Sequence, residues 1–102
     1  MAKIIIKLAP SEIRRDFCLF EKQADLICAA ALKAGKFEIF PAFDVIQKGE
    51  AGAEEAFDLT NNPSRQKERV IKFGCFRSVC VGDVVEVDGV NFLCDTFGWC
   101  EI

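Results

Sequence analysis

Residues 77–102 read RSVCVGDVVEVDGVNFLCDTFGWCEI. Asp88-Gly89 lies between two runs rich in β-branched and apolar residues, the strongest short-range signal for a two-residue type I′ turn. That turn needs positive φ at both central positions, which Gly adopts freely and Asp tolerates. A two-residue loop sets the register: Val87 faces Val90, Glu86 faces Asn91, Val85 faces Phe92 and Val84 faces Leu93. Side chains alternate between the faces of a strand, so Val85, Val87, Val90 and Phe92 form one apolar face, assigned to the core. Glu86 and Asn91 share the other face with Val84 and Leu93, which is expected to be half wet. Gly82-Asp83 is a turn before the first strand. Phe97-Gly98 is a second turn, leading into a last strand over 99–102 that pairs back on 91–95.

The N-terminal half supplies a helical layer. Residues 3–8 form a short strand whose consecutive Ile4, Ile5 and Ile6 point to burial on both faces. Pro10-Ser11-Glu12 starts a helix, with Ser11 able to cap and Glu12 at the positive end of the dipole. Ile13, Phe17, Phe20, Ala24, Ile27 and Ala31 follow at alternating spacings of four and three, one helical stripe. Gly35 suits the C′ position. An unbroken helix over 12–35 would be about 36 Å long at 1.5 Å per residue, so a break near 21–23 is expected. The stripe is also that of a dimer seam, which keeps a small homo-oligomer open.

Residues 36–46 alternate partly, with Phe37, Ile39, Phe43 and Val45 on one side, and Pro41 marks an edge strand or a bulge. Residues 51–59, AGAEEAFDL, form a short helix ended by Asn61-Asn62-Pro63-Ser64. The expected architecture is α+β: a mostly antiparallel sheet with a C-terminal β-meander, packed against N-terminal helices.

At 102 residues, half of them hydrophobic and ten of them Phe, the chain is long enough for one core and is read as a single domain, 1–102. It has no run of about 18 apolar residues, so no membrane association is expected. The start, MAKIIIKLAP, has too short an apolar run for a signal peptide, and the cytoplasm is the expected compartment.

Cysteine and histidine usage narrows the chemistry. Six cysteines without an export signal read as reduced thiols, and Cys18, Cys28, Cys75 and Cys94 sit beside large apolar residues as packing groups. A zinc site from Cys75, Cys80, Cys94 and Cys100 would need spacings of four, thirteen and five, off the usual pattern, so no metal site is expected. With no histidine, the Ser-His-Asp and Cys-His pairs are excluded. No glycine-rich phosphate loop or EF-hand pattern is present, and no cofactor is expected. Cys80 and Cys100 are the expected exposed thiols, and Cys80, Asp83 and Asp95 are the groups an enzyme reading would need.

Charge is unevenly spread. Residues 65–77 hold five basic residues (Arg65, Lys67, Arg69, Lys72 and Arg77) against one acid, Glu68; taking that +4 from the chain's −3 leaves −7 elsewhere. With Phe73 and Phe76 interleaved, the segment suits phosphate contact and base stacking. Solvated charges in a connecting loop and strand are the plainer reading.

The run RSVCVGDVVEVDGVNFLCDTFGW, preceded by AEEAFDLTNNPSRQ, resembles a small family of proteins from phages, plasmids and other mobile elements whose C-terminal part is YodL-like, with an RSxSVGDVV…DG…CDSFGW motif. Matching positions are Arg77, Ser78, Val81, Gly82, Asp83, Val84, Asp88, Gly89, Cys94, Asp95, Gly98 and Trp99, with Asn61, Asn62, Pro63 and Arg65 upstream. Cys80 and Thr96 stand where the motif has Ser. The resemblance covers the last half of the chain and implies a mobile-element accessory protein. Most matching positions are turn formers or core residues. Arg77, Asp95 and Trp99 are not explained that way and are expected to share a surface with Arg65. The expected function is a non-enzymatic module binding a protein partner; nucleic-acid binding through 65–77 is the second reading.

Overall fold

A computed structural model describes residues 1–11, 24–74, 77–95 and 98–102. The described strands are β1 (Ala2–Leu8), β2 (Glu38–Ile39), β3 (Phe43–Val45), β4 (Val84–Val87), β5 (Val90–Asp95) and β6 (Gly98–Glu101). The described helices are α1 (Ala24–Lys33), α2 (Gly49–Asn61) and α3 (Gln66–Lys72), with a 3-10 turn at Pro63–Arg65. The described strands form one antiparallel sheet in the order β2-β1-β4-β5-β6, with β3 also on β1. The fold is α+β with a C-terminal meander.

The hairpin has the expected register at all four pairs, from Val84↔Leu93 to Val87↔Val90. Asp88 and Gly89 both have positive φ, 49° and 87°. Asp88 also anchors the hairpin to β1: its Oδ1 accepts from Lys3 N at 2.8 Å, and its own N–H donates to Lys3 O at 3.0 Å.

Each face of the sheet buries a separate cluster. Ile4, Ile6, Phe43, Val45, Val85, Val87 and Cys94 lie on the face that packs against Ala53, Ala56 and Leu59 of α2. On the opposite face Val84 and Leu93 pack with Ala9, Cys28, Ala31 and Phe37. That face is not half wet at these positions: Val84 and Leu93 are fully buried because α1 covers them. Val90, by contrast, is partly exposed at the hairpin tip. Beside this second cluster Lys7 is buried, its Nζ 2.8 Å from both Glu86 Oε1 and Asn91 Oδ1.

Among the α1 side chains described, Ala31 of the expected stripe is buried and Ile27 only partly so, Cys28 beside it is fully buried, and Leu26 is exposed. Gly35, at φ 74°, closes the helix in a Schellman motif, with Lys36 N–H to Ala31 O and Gly35 N–H to Leu32 O. The expected helical stretch 12–23 and its break at 21–23 lie outside the described residues.

The edge segment departs from the expected pattern. β2 pairs Lys7↔Ile39, whereas β3 pairs Ile4↔Phe43, so four residues on the edge span three on β1. One extra residue around Pro41 makes a bulge, and it reverses which face the following side chains meet. Phe37 therefore joins the α1-side cluster and Phe43 the α2-side cluster, while Ile39 is left exposed.

Residues 66–72 are helical rather than loop or strand. Asn62 starts the turn before them: its side chain accepts from Ser64 N–H at 3.0 Å and Ser64 Oγ at 2.7 Å, and Pro63 takes the first position, where its missing donor costs nothing.

Candidate functional site

The expected site residues fall into three groups. The first sits on the 3-10 turn and α3. Arg65 is held by carboxylates: Nη2 is 2.7 Å from Glu68 and Nη1 2.9 Å from Asp58, with Glu55 at 3.9 Å. Hydrogen bonds donated to Glu68 first and Asp58 second push the Arg65 pKa further up, and Arg65 in turn holds the Glu68 carboxyl below its ordinary value. Arg69 donates to Thr60 O at 2.9 Å and Lys72 to Asp44 O at 3.3 Å. Lys67 forms no ion pair among the described residues and stands beside Val70 and Ile71, both exposed. Phe73 is buried against Phe40, ring centroids 4.8 Å apart, and so presents no stacking face to solvent. Phe76 lies outside the described residues.

Arg77 forms the second group with Asp83. The guanidinium makes two bonds to the buried carboxylate and a third to Ala9 O at 2.9 Å. Ala9 N–H and Cys80 N–H also donate to Asp83, at 2.7 and 2.9 Å, and the Cys80 thiol lies 3.4 Å from Oδ2. This network closes the loop into β4 over the end of β1. Both Asp83 oxygens are engaged, which gives Arg77 and Asp83 a structural task.

Asp95 and Trp99 make the third group, and the structure brings these two together. The pairing of β5 with β6 sets Trp99 beside Cys94 and facing α2, where Glu54 and Phe57 stand one helical turn apart. Trp99 Nε1–H donates to Glu54 Oε2 at 2.7 Å, and the indole meets the Phe57 ring edge-on at 6.3 Å and 85°. Glu54, Phe57, Cys94, Asp95, Gly98 and Trp99 line a hollow of about 190 Å³. Neither Arg65 nor Arg77 lines it, so the surface expected for all four residues resolves into separate places.

Glu54 and Phe57 were not singled out from the sequence. Their i,i+3 spacing within AEEAFDL was the available signal, but nothing in the sequence tied that run to Trp99.

A second hollow, lined by Asn61, Asn62, Pro63, Gln66, Arg69 and Ser78 among others, lies at the C-terminal end of α2. Here motif positions from both halves meet: Ser78 Oγ donates to Thr60 O at 2.6 Å, Val79 N–H to Thr60 Oγ1 at 3.0 Å, and Asn61 Nδ2 to Val79 O at 3.0 Å. These bonds fasten the 77–80 loop to α2.

Cys28 and Cys94 are buried thiols, Cys80 and Cys100 half-buried ones. Burial, and then the negative charges of Asp83, Cys80, Glu54 and Asp95, push the Cys94 thiol up to about 12. Cys18 and Cys75 lie outside the described residues, and no cluster suited to a metal ion occurs among the described ones. No described helix is long and apolar enough to cross a membrane.

Comparison with family models, curated proteins and solved structures returns no match.

Proposed function

We propose that this chain is a non-enzymatic, cytoplasmic binding module that recognises another protein through the face formed by α2 and β6, as an accessory protein of the mobile elements its C-terminal motif resembles. One observation carries the reading: Trp99 is half-buried yet fixed, clamped by Glu54 and Phe57 beside a concave site. A rigid aromatic at a hollow loses little side-chain entropy on binding, which is why Trp recurs at the energetic centres of interfaces. A volume of about 190 Å³ suits one inserted side chain and falls short of the ~300–1,000 Å³ of a small-molecule pocket.

The geometry supports nucleic-acid binding less. Arg65, Arg69 and Arg77 are turned onto carboxylates and carbonyls, and the exposed apolar side chains between the lysines are aliphatic. The test is affinity capture from a nuclease-treated lysate with the wild type, Trp99→Ala and Glu54→Ala. A protein retained by the wild type and lost with both variants supports the reading. Retention by both variants, or capture that disappears with nuclease, overturns it.

A further inference from the structure

We propose that the hollow between α2 and β6 is a receptor for a single basic side chain, lysine or arginine, projecting from the partner polypeptide. The inference rests on the protein-binding reading above and adds the chemistry of the group that enters.

The walls of the hollow are aromatic and anionic. Trp99 and Phe57 supply ring surface, and the indole face is the strongest natural attractant for an ammonium or guanidinium group. Glu54 supplies a carboxylate at the same site. The Trp99 Nε1–H bond to Glu54 Oε2 orients the indole and leaves Glu54 Oε1 as an acceptor for an incoming donor.

The surroundings favour a cation as well. α2 carries Glu50, Glu54, Glu55 and Asp58 and no basic residue. Glu55 and Asp58 turn toward Arg65, whereas Glu54 forms no ion pair among the described residues. An acidic side chain entering here would meet like charge. An apolar one would make no use of the Glu54 carboxylate. A lysine or arginine stem lies along the rings while its head reaches that carboxylate.

Trp99 is the sole tryptophan in a chain without tyrosine, so its emission reports on this hollow. The probes are three end-blocked pentapeptides of glycine with lysine, arginine or norleucine at the centre, titrated at matched ionic strength to about ten times a millimolar dissociation constant. The lysine and arginine peptides are expected to change Trp99 emission saturably, and the norleucine peptide to leave it unchanged. Glu54→Gln, at an exposed position and checked for folding by circular dichroism, should weaken binding about threefold, and added salt should weaken it further. An equal response to norleucine, no saturable response to either basic peptide, or an affinity unchanged in Glu54→Gln would overturn the proposal.

The two proposals fail separately. Lysine binding without any captured protein removes the partner reading and leaves the hollow's chemistry in place. A partner lost with Trp99→Ala while all three peptides behave alike does the reverse.

Discussion

Arg77 and Asp83 are joined by two parallel hydrogen bonds, Nη1 to Oδ2 at 2.6 Å and Nη2 to Oδ1 at 2.8 Å, with the carboxylate fully buried and the guanidinium 27 % exposed. Removing one partner of such a pair strands the other charge out of water. Arg77→Ala is therefore expected to cost about 3 kcal/mol of stability, and Arg77→Lys, which keeps the charge without the fork, distinctly less. Urea unfolding checks this. A loss below about 0.5 kcal/mol, the scale of an ordinary surface change, would return Arg77 to the list of recognition residues.

Gly52 reads as a weak point in a helix, and replacing such a residue by Ala usually gains about 1 kcal/mol. Here a Cβ would stand 2.9 Å from Gln47 O and 3.0 Å from Val87 Cγ1, where α2 approaches β4. The backbone oxygen cannot turn aside as a side chain does, and overpacking costs about 1–3 kcal/mol. Gly52→Ala should lower the urea midpoint. A raised midpoint would mean that helix and strand separate easily.

Cys94 predicts an alkaline weakness. Its thiol is raised from 9.0 to about 12 in the folded chain, chiefly by burial. Between those values the unfolded chain has released a proton that the folded chain retains, so stability falls as pH rises. The slope is at most about 1.4 kcal/mol per pH unit. Cys94→Ala should lose less stability than the wild type between pH 8.5 and 10.5. Parallel curves for the two proteins would contradict the assignment.

The salt dependence of any DNA affinity counts the cations that reach phosphate. With Lys67 and Lys72 alone, the slope of log K against log salt should be about −1.8; five contacts would give about −4.5. The steeper value would show that Arg65, Arg69 and Arg77 leave their internal partners on binding.

The hairpin register was legible in the sequence because Asp88-Gly89 allows one turn geometry, and a slip by one residue would carry Glu86 into the α2-side core. The burial of Val84 and Leu93 was not legible, because it depends on where α1 lands and no strand pattern records that. α3 was missed because its apolar positions, Val70 and Ile71, are adjacent and exposed and give no buried stripe. Trp99 and Asp95 stood out as motif positions without a turn or core explanation. The partners of Trp99 on α2 come from more than forty residues away in sequence, a separation across which spacing carries no information.

The bulge at Pro41 makes the edge segment a rivet through the sheet, with Phe37 set into one hydrophobic cluster and Phe43 into the other. Peeling the edge would draw both rings out at once, so the two sides of the molecule lack independent first steps of unfolding. Native-state hydrogen exchange should then find amides under α1 and under α2 opening together through this edge, as one subglobal unit. Inserting or deleting a single residue between Ile39 and Phe43 would turn both rings to the same face of the sheet, so this short stretch should tolerate substitution far better than a change in length.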